Sequence, residues 1–199
     1  MISASNRSVM TQKTEEEYIR RLQQGDANAL RYVMTVYQHK VFSLMINLVK
    51  NEDDAQELTQ DVFIKVFQRV KGFKFGSKFS TWLYRIAYNE GMSFLRKNKI
   101  KTESLDLRME FNHEPIEMKS MDLLKEEERN LYIGNALEKL GPQQRMLVQL
   151  FYLEELTIKE IRDVAQIPES SIKTGLLRAR QNLLKHMQLE LKEELNSLL

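Results

Sequence analysis

The chain has 199 residues, of which 42% are apolar and 29% charged, with seven glycines, three prolines and no cysteine. That length suits one large domain or two small ones, and the scarcity of glycine and proline argues for helices over a sheet-rich fold. The absence of cysteine excludes a disulfide framework and a thiolate metal site, and a net charge of +2 excludes a uniformly basic or acidic surface.

The polar opening MISASNRSVMTQK lacks the apolar segment of a signal peptide, so residues 1–13 read as a disordered tail. Glu15 to Gln24 then forms a short helix closed by Gly25-Asp26, and Ala27 to Lys50 forms a longer one. Asn51-Glu52-Asp53-Asp54 caps a third helix, because side-chain oxygens accept from free amides and acids suit the positive end of the dipole. Its expected apolar stripe is Leu58, Val62, Phe63, Val66, Phe67 and Val70. Gly72 to Ser80 is a loop with two glycines, three aromatics and two lysines, a composition expected to adapt to a ligand more readily than to build a core.

Phe79 to Lys97, FSTWLYRIAYNEGMSFLRK, places Trp82, Arg85, Asn89, Ser93 and Arg96 within about 80° of one helix face at about 100° per residue. Phe79, Leu83, Ile86, Ala87 and Phe94 gather on the neighbouring arc. An aromatic, an amide, a hydroxyl and cations beside a packed side suit single-stranded nucleic acid. The plainer alternative is a buried Trp beside surface arginines.

Charge along the chain supports nucleic acid. Val62 to Lys101 carries ten basic residues against the single acid Glu90, whereas Thr102 to Asn130 carries nine acids against four bases. Ser170 to His186 is basic again, with Lys173, Arg178, Arg180 and Lys185 and no acid. Two basic blocks around an acidic one point to two polyanion contacts joined by a segment that avoids DNA. The acidic stretch, residues 100–123, has no sustained apolar period and reads as a flexible linker.

The second unit, residues 124–199, has its own punctuation. Leu140-Gly141-Pro142 stops one helix and starts another, Gln143 to Leu153, with Met146, Leu147, Leu150 and Phe151 inward. Thr157 and Glu160 have capping-box spacing, and Gln166 to Glu169 makes a turn into a helix from Ser170 to Lys185. On that helix Ile172, Leu176, Ala179 and Leu183 form a narrow buried stripe, opposite Ser170, Lys173, Thr174, Leu177, Arg178, Gln181 and Lys185. A packed back with a front of short polar, amide and basic groups is how a helix-turn-helix presents itself to a major groove. A plain helical hairpin with a solvated face is the competing reading.

These strings, in this order, resemble the extracytoplasmic-function sigma factors of bacterial RNA polymerase, from about Glu17 to Leu184. Ala55-Gln56-Glu57-Leu58-Thr59-Gln60-Asp61-Val62-Phe63 is similar to the family's Ala-Glu-Asp-Leu-x-Gln-Asp-x-Phe signature, and Thr81-Trp82-Leu83-Tyr84-Arg85-Ile86-Ala87 with Asn89 to its most specific string. The resemblance implies an all-α protein of two small helical domains, a region 2-like bundle over residues 14–99 and a region 4-like helix-turn-helix over residues 124–199, joined by the acidic linker. It implies that Asp54, Glu57, Gln60, Asp61 and Phe63 meet the β′ clamp of core RNA polymerase. Lys74, Lys78, Trp82, Arg85, Asn89 and Arg96 would meet the minus-10 element, with Asn89 and the Lys71 to Ser80 loop holding a flipped base. Ser170, Lys173, Thr174, Leu177, Arg178 and Gln181 would meet the minus-35 duplex, and the same unit the β flap. Core polymerase, promoter DNA and an anti-sigma factor are the implied partners. No cofactor, metal, catalysis or membrane insertion is implied, and the location expected is cytoplasmic.

The sequence departs from the family pattern at Ser93, where aspartate is usual, and at Arg162, Gln166 and Ser170, where alanine and two glycines are usual. Arg162 therefore has to reach toward solvent, and Gln166 has to adopt positive φ if the turn is kept. The rival from another class is a stand-alone helix-turn-helix regulator binding duplex DNA without polymerase. It leaves the clamp-like and Trp82 to Arg96 segments idle. An enzyme fits least, since His39, His113 and His186 are scattered and no phosphate-binding glycine loop is present.

Overall fold

The computed structural model describes the backbone of residues 4–99 and 126–197, and side chains over 14–98 and 133–189. The expected acidic linker lies outside the described residues. Eight α-helices are described: α1 (Ala4–Gln23), α2 (Ala27–Val49), α3 (Glu52–Arg69), α4 (Phe79–Lys99), α5 (Glu126–Lys139), α6 (Pro142–Val148), α7 (Ile158–Ala165) and α8 (Glu169–Ser197). A 3-10 turn, Val70–Gly72, follows α3, and a π-helical turn, Gln149–Leu153, continues α6.

The helix boundaries follow local chemistry. Asp26 caps α2 by accepting from the Asn28 amide, and Asn51 caps α3 by accepting from the Asp54 amide at 2.9 Å. Lys50 closes α2 in the left-handed region at φ 60°. Pro142 opens α6 where its missing N–H costs nothing, and Thr157 with Glu160 completes a reciprocal capping box at α7. One boundary differs from expectation: α1 begins at Ala4, so the segment read as a tail is helical over residues 4–13. Extending an existing helix requires no new nucleus, so polar residues without an apolar period can continue one.

Burial follows the helical period, with two corrections. On α3, Leu58, Val62, Phe63 and Val66 are buried, but Phe67 is 47% exposed. It lies about 110° from the centre of the buried arc, just past the edge where a stripe becomes surface. Phe73, expected in an adaptable loop, is 6% exposed and belongs to the core, where it joins Phe79 of the packed α4 arc, 4% exposed. An aromatic ring contributes enough apolar area to draw a loop inward.

The first unit packs α1 to α4 together, and the second packs α5 to α8. The two units also pack on each other, α6 against α2 and α7 against α4, so that Met146, Leu150, Ile161 and Leu176 join the core of Leu44, Leu83 and Ala87. Glycine permits two close approaches. A Cβ on Gly91 of α4 would collide with Leu48 Cδ2 of α2, and one on Gly175 of α8 would lie 2.7 Å from Leu147 Cδ1 of α6. Gly91→Val therefore overpacks the α2/α4 contact and is expected to lower stability by about 1–3 kcal/mol in urea unfolding. An unchanged midpoint would show that α4 does not sit this close to α2.

Candidate nucleic-acid interface

After α3 the chain runs through the 3-10 turn into a loop that ends on α4. The rings of Phe73, Phe75, Phe79 and Trp82 gather there, Phe73 lying 4.9 Å from Phe75, 5.7 Å from Phe79 and 5.3 Å from Trp82 between centroids. Phe75 adopts φ 56°, a left-handed conformation that is an outlier for a bulky residue and marks stored strain. Beside it opens a cavity of about 230 Å³, walled by Phe73, Phe75 and Phe79, by Lys78 and Ser80, and across from them by Glu15 and Glu16 of α1. The α1 wall carried no signal in sequence, because its approach to the loop spans some fifty residues of chain.

The expected minus-10 residues divide between two places. Lys78 lines the cavity, while Lys74 is exposed nearby. Trp82 is half-buried, its indole tilted against Phe73 and Phe79. Arg85, Asn89 and Arg96 are exposed along the rest of the α4 face, and Arg96 donates to the Ser93 hydroxyl at 3.0 Å. Asn89 does not line the cavity: ten residues beyond Phe79, it stands about 15 Å further along the helix. The Ser93 departure is thus absorbed by a neighbouring arginine.

On α8 every expected minus-35 residue, Ser170, Lys173, Thr174, Leu177, Arg178 and Gln181, is exposed, with Ile172, Leu176 and Ala179 fully packed behind them. Leu177 is 52% exposed, an apolar group of the kind that meets a thymine methyl. The departures in the turn are accommodated as their chemistry requires. Gln166 takes φ 57°, and its side chain donates to the Asp163 carbonyl at 2.8 Å. Arg162 turns away from the helix pair to Asp163 and Glu169, at 3.0 and 3.1 Å.

The expected clamp residues also divide. Glu57 and Gln60 are exposed, Asp54 and Asp61 are half-buried, and Phe63 is 6% exposed within the core. Phe63 braces α3 from behind, and the apolar groups that α3 offers outward are Ile64 and Phe67, 53% and 47% exposed. Phe67, Gln60, Ile64 and Glu57 fall within about 80° of one another on α3.

Polar ties join the two units. Gln149, 3% exposed, donates to the Ser43 hydroxyl at 3.0 Å and accepts from the Asn47 amide at 2.9 Å. The buried Glu154 carboxylate accepts from the Tyr84 hydroxyl and pairs with Lys40 at 3.3 Å. Burial, followed by the bond to Glu154, pushes the Tyr84 hydroxyl far above its ordinary range and keeps it a donor. Glu160 pairs with Lys78 at 2.9 Å. Burial alone would raise the Glu160 carboxyl, but hydrogen bonds from Thr157 and Lys78 outweigh it and hold the group low.

Comparison with known proteins now bears on this geometry. Residues 33–100 match the family described as Sigma-70 region 2, and residues 130–183 match Sigma-70, region 4. The RNA polymerase sigma-H factor of Pseudomonas aeruginosa is 28% identical over 193 residues, covering 93% of this chain and 100% of that protein. The ECF RNA polymerase sigma factor SigW of Bacillus subtilis is 28% identical, covering 85% and 95%. The chain belongs to the extracytoplasmic-function sigma factors. Sigma factors direct RNA polymerase to promoters and are not enzymes, so the stand-alone regulator is set aside by the region 2 match. In fold, this sigma factor is similar to CnrH solved with the cytosolic domain of CnrY, with a TM-score of 0.61 at 16% identity over 88% of this chain and 97% of that one. It is also similar to RpoE solved with the anti-sigma factor NepR from Bartonella quintana, with a TM-score of 0.60 at 22% identity over 79% and 96%. Among the described residues, no helix is long and apolar enough to cross a membrane.

The buried Gln149 bridge yields a direct test of the contact between units. Gln149→Leu leaves the Ser43 hydroxyl and the Asn47 amide facing an apolar group, a loss of about 1–3 kcal/mol. The variant is expected to keep its helical content and to show a larger radius of gyration by X-ray scattering. An unchanged radius would show that the apolar contacts alone hold the units together.

Proposed function

We propose that this sigma factor acts through three separate exposed surfaces. The outer face of α3, with Glu57, Gln60, Ile64 and Phe67, receives the β′ clamp of core polymerase. The loop cavity with the α4 face, Lys74, Lys78, Trp82, Arg85, Asn89 and Arg96, takes the minus-10 strand. The front of α8 enters the minus-35 major groove, and Tyr152 and Leu153, 47% and 63% exposed at the end of the π turn, meet the β flap.

The observation that carries this reading is the segregation of chemistry on α3 and α4. Helix α3 is acidic at its start and ends its exposed arc on two large apolar groups, which suits a protein partner. The exposed arc of α4 carries cations and an amide next to a ring-lined cavity, which suits an unstacked base and its phosphates. Asp54, Asp61 and Phe63 then act mainly by holding α3 in place. An anti-sigma factor is a further partner in this proposal, supported by the partners named for CnrH and RpoE. A cytoplasmic location follows from that same task.

Two variants test the division of labour. Joint substitution Ile64→Ala and Phe67→Ala is expected to weaken core polymerase binding by about 2–4 kcal/mol without unfolding the chain, since both side chains are exposed. Normal binding to fluorescently labelled core would contradict the clamp assignment. Asn89→Ala is expected to reduce open-complex formation, followed by permanganate reactivity of the minus-10 region, while leaving core affinity within about twofold. Equal loss of both would remove the minus-10 role of α4.

A further inference from the structure

The cavity beside the loop has a second wall of separate origin. Its aromatic and cationic side comes from the loop and the start of α4, whereas Glu15, Glu16 and Ile19 come from α1, before residue 33 where the region 2 match begins. Helix α1 is fixed to the loop by contacts that span the first unit. Gln23 donates through one amide nitrogen to the carbonyls of both Val70 and Phe73, at 3.0 and 2.8 Å. The Arg20 guanidinium carbon stands 4.3 Å above the Phe75 ring, and the Tyr37 hydroxyl donates to Glu15. Two carbonyls held by one side chain, together with a ring held under a cation, set the loop's conformation and its distance from α1.

The chemistry of the α1 wall differs from that of the loop wall. Glu15 uses Oε1 for Tyr37 and Glu16 uses Oε1 for Arg20, so among the described residues each carboxylate keeps Oε2 as an acceptor. A carboxylate accepts hydrogen bonds and donates none. Adenine, cytosine and guanine each carry an exocyclic amino group that can donate to it. Thymine carries none: its one edge donor, the ring N3–H, is flanked on both sides by carbonyl oxygens, so a carboxylate that approaches it meets acceptor against acceptor.

We propose that α1 is the specificity wall of this pocket: Gln23 locks it against the loop, and the Glu15 and Glu16 carboxylates admit an unstacked base bearing an exocyclic amino group and reject thymine. The inference rests on the reading of the cavity as the site of a flipped base. Phe73, Phe75 and Phe79 supply the apolar wall for that base, Lys78 neutralises its phosphate, and Glu15 and Glu16 decide which base stays. Gln23 is a positioning residue, acting only through the loop it holds.

The test uses the full chain with core polymerase and a promoter it initiates from. A 2-aminopurine scan along the non-template minus-10 strand locates the position that unstacks in the open complex. All four bases are then placed there, and the rate of opening is measured. Thymine is expected to open about tenfold more slowly than cytosine. Glu15→Gln with Glu16→Gln, which keeps the shapes and adds amide donors, is expected to shrink that difference to under about threefold. Glu17→Gln, outside the cavity, leaves it intact. Gln23→Leu is expected to lose the same discrimination while core affinity and helical content at the assay temperature are retained, a pattern that general unfolding does not produce. Thymine opening as fast as cytosine, or discrimination that survives the double variant, overturns the inference and leaves the base pocket standing. The absence of any unstacked position overturns the pocket reading and the inference with it.

Discussion

Helix α4 is covered on all sides but one, and that constraint organises the molecule. Leu83, Tyr84, Ile86, Ala87 and Tyr88 are buried by α2 and α3 on one flank and by α7 of the second unit on another. What remains outward is the strip of Arg85, Asn89 and Arg96, continued at its N-terminal end by the rim of the loop cavity. A helix so enclosed can neither roll nor slide without exposing several large side chains, each worth about 1.5–3 kcal/mol of burial. Gly91 allows the close approach that locks it against α2. The exposed strip is therefore presented in one fixed orientation, which is what the proposed role in positioning an unstacked base requires.

The second unit contributes to that enclosure and uses polar groups to do so. Gln149 is paired with Ser43 and Asn47, and Glu154 with Tyr84 and Lys40, so the contact is specified by donors and acceptors as well as by shape. Lys78 is held by Glu160 at the rim of the cavity. A phosphate arriving at that ammonium meets a site that already carries a carboxylate, so binding of a strand there and contact between the units draw on the same cation.

Much of this was legible in the sequence, wherever a local rule acts alone. The capping box at Thr157 and Glu160, Pro142 at the first position of α6 and the left-handed Gln166 each follow from neighbours within four residues. The α4 face and the front of α8 follow from a period of about 100° per residue. The failures lie where tertiary contact decides. A 100° period cannot separate the edge of a stripe from its centre, so it puts Phe67 in the core with Phe63, and of the two only Phe63 is buried. Composition points the loop aromatics toward a ligand because it does not show that Phe73 meets Phe79 and Trp82 of α4. Gln149 and Gln23 act through partners 106 and up to 50 residues away, beyond the reach of any local pattern.

The surfaces on α3, α4 and α8 have meaning together only if one chain brings polymerase to a promoter. The most direct measurement is transcription in vitro from genomic DNA by core RNA polymerase with and without this protein, followed by mapping of the 5′ ends. Initiation at discrete sites that appear only with the protein, and that share one pair of upstream elements at constant spacing, is the predicted result. Initiation that is absent, or unchanged by an active preparation of the protein, would contradict it.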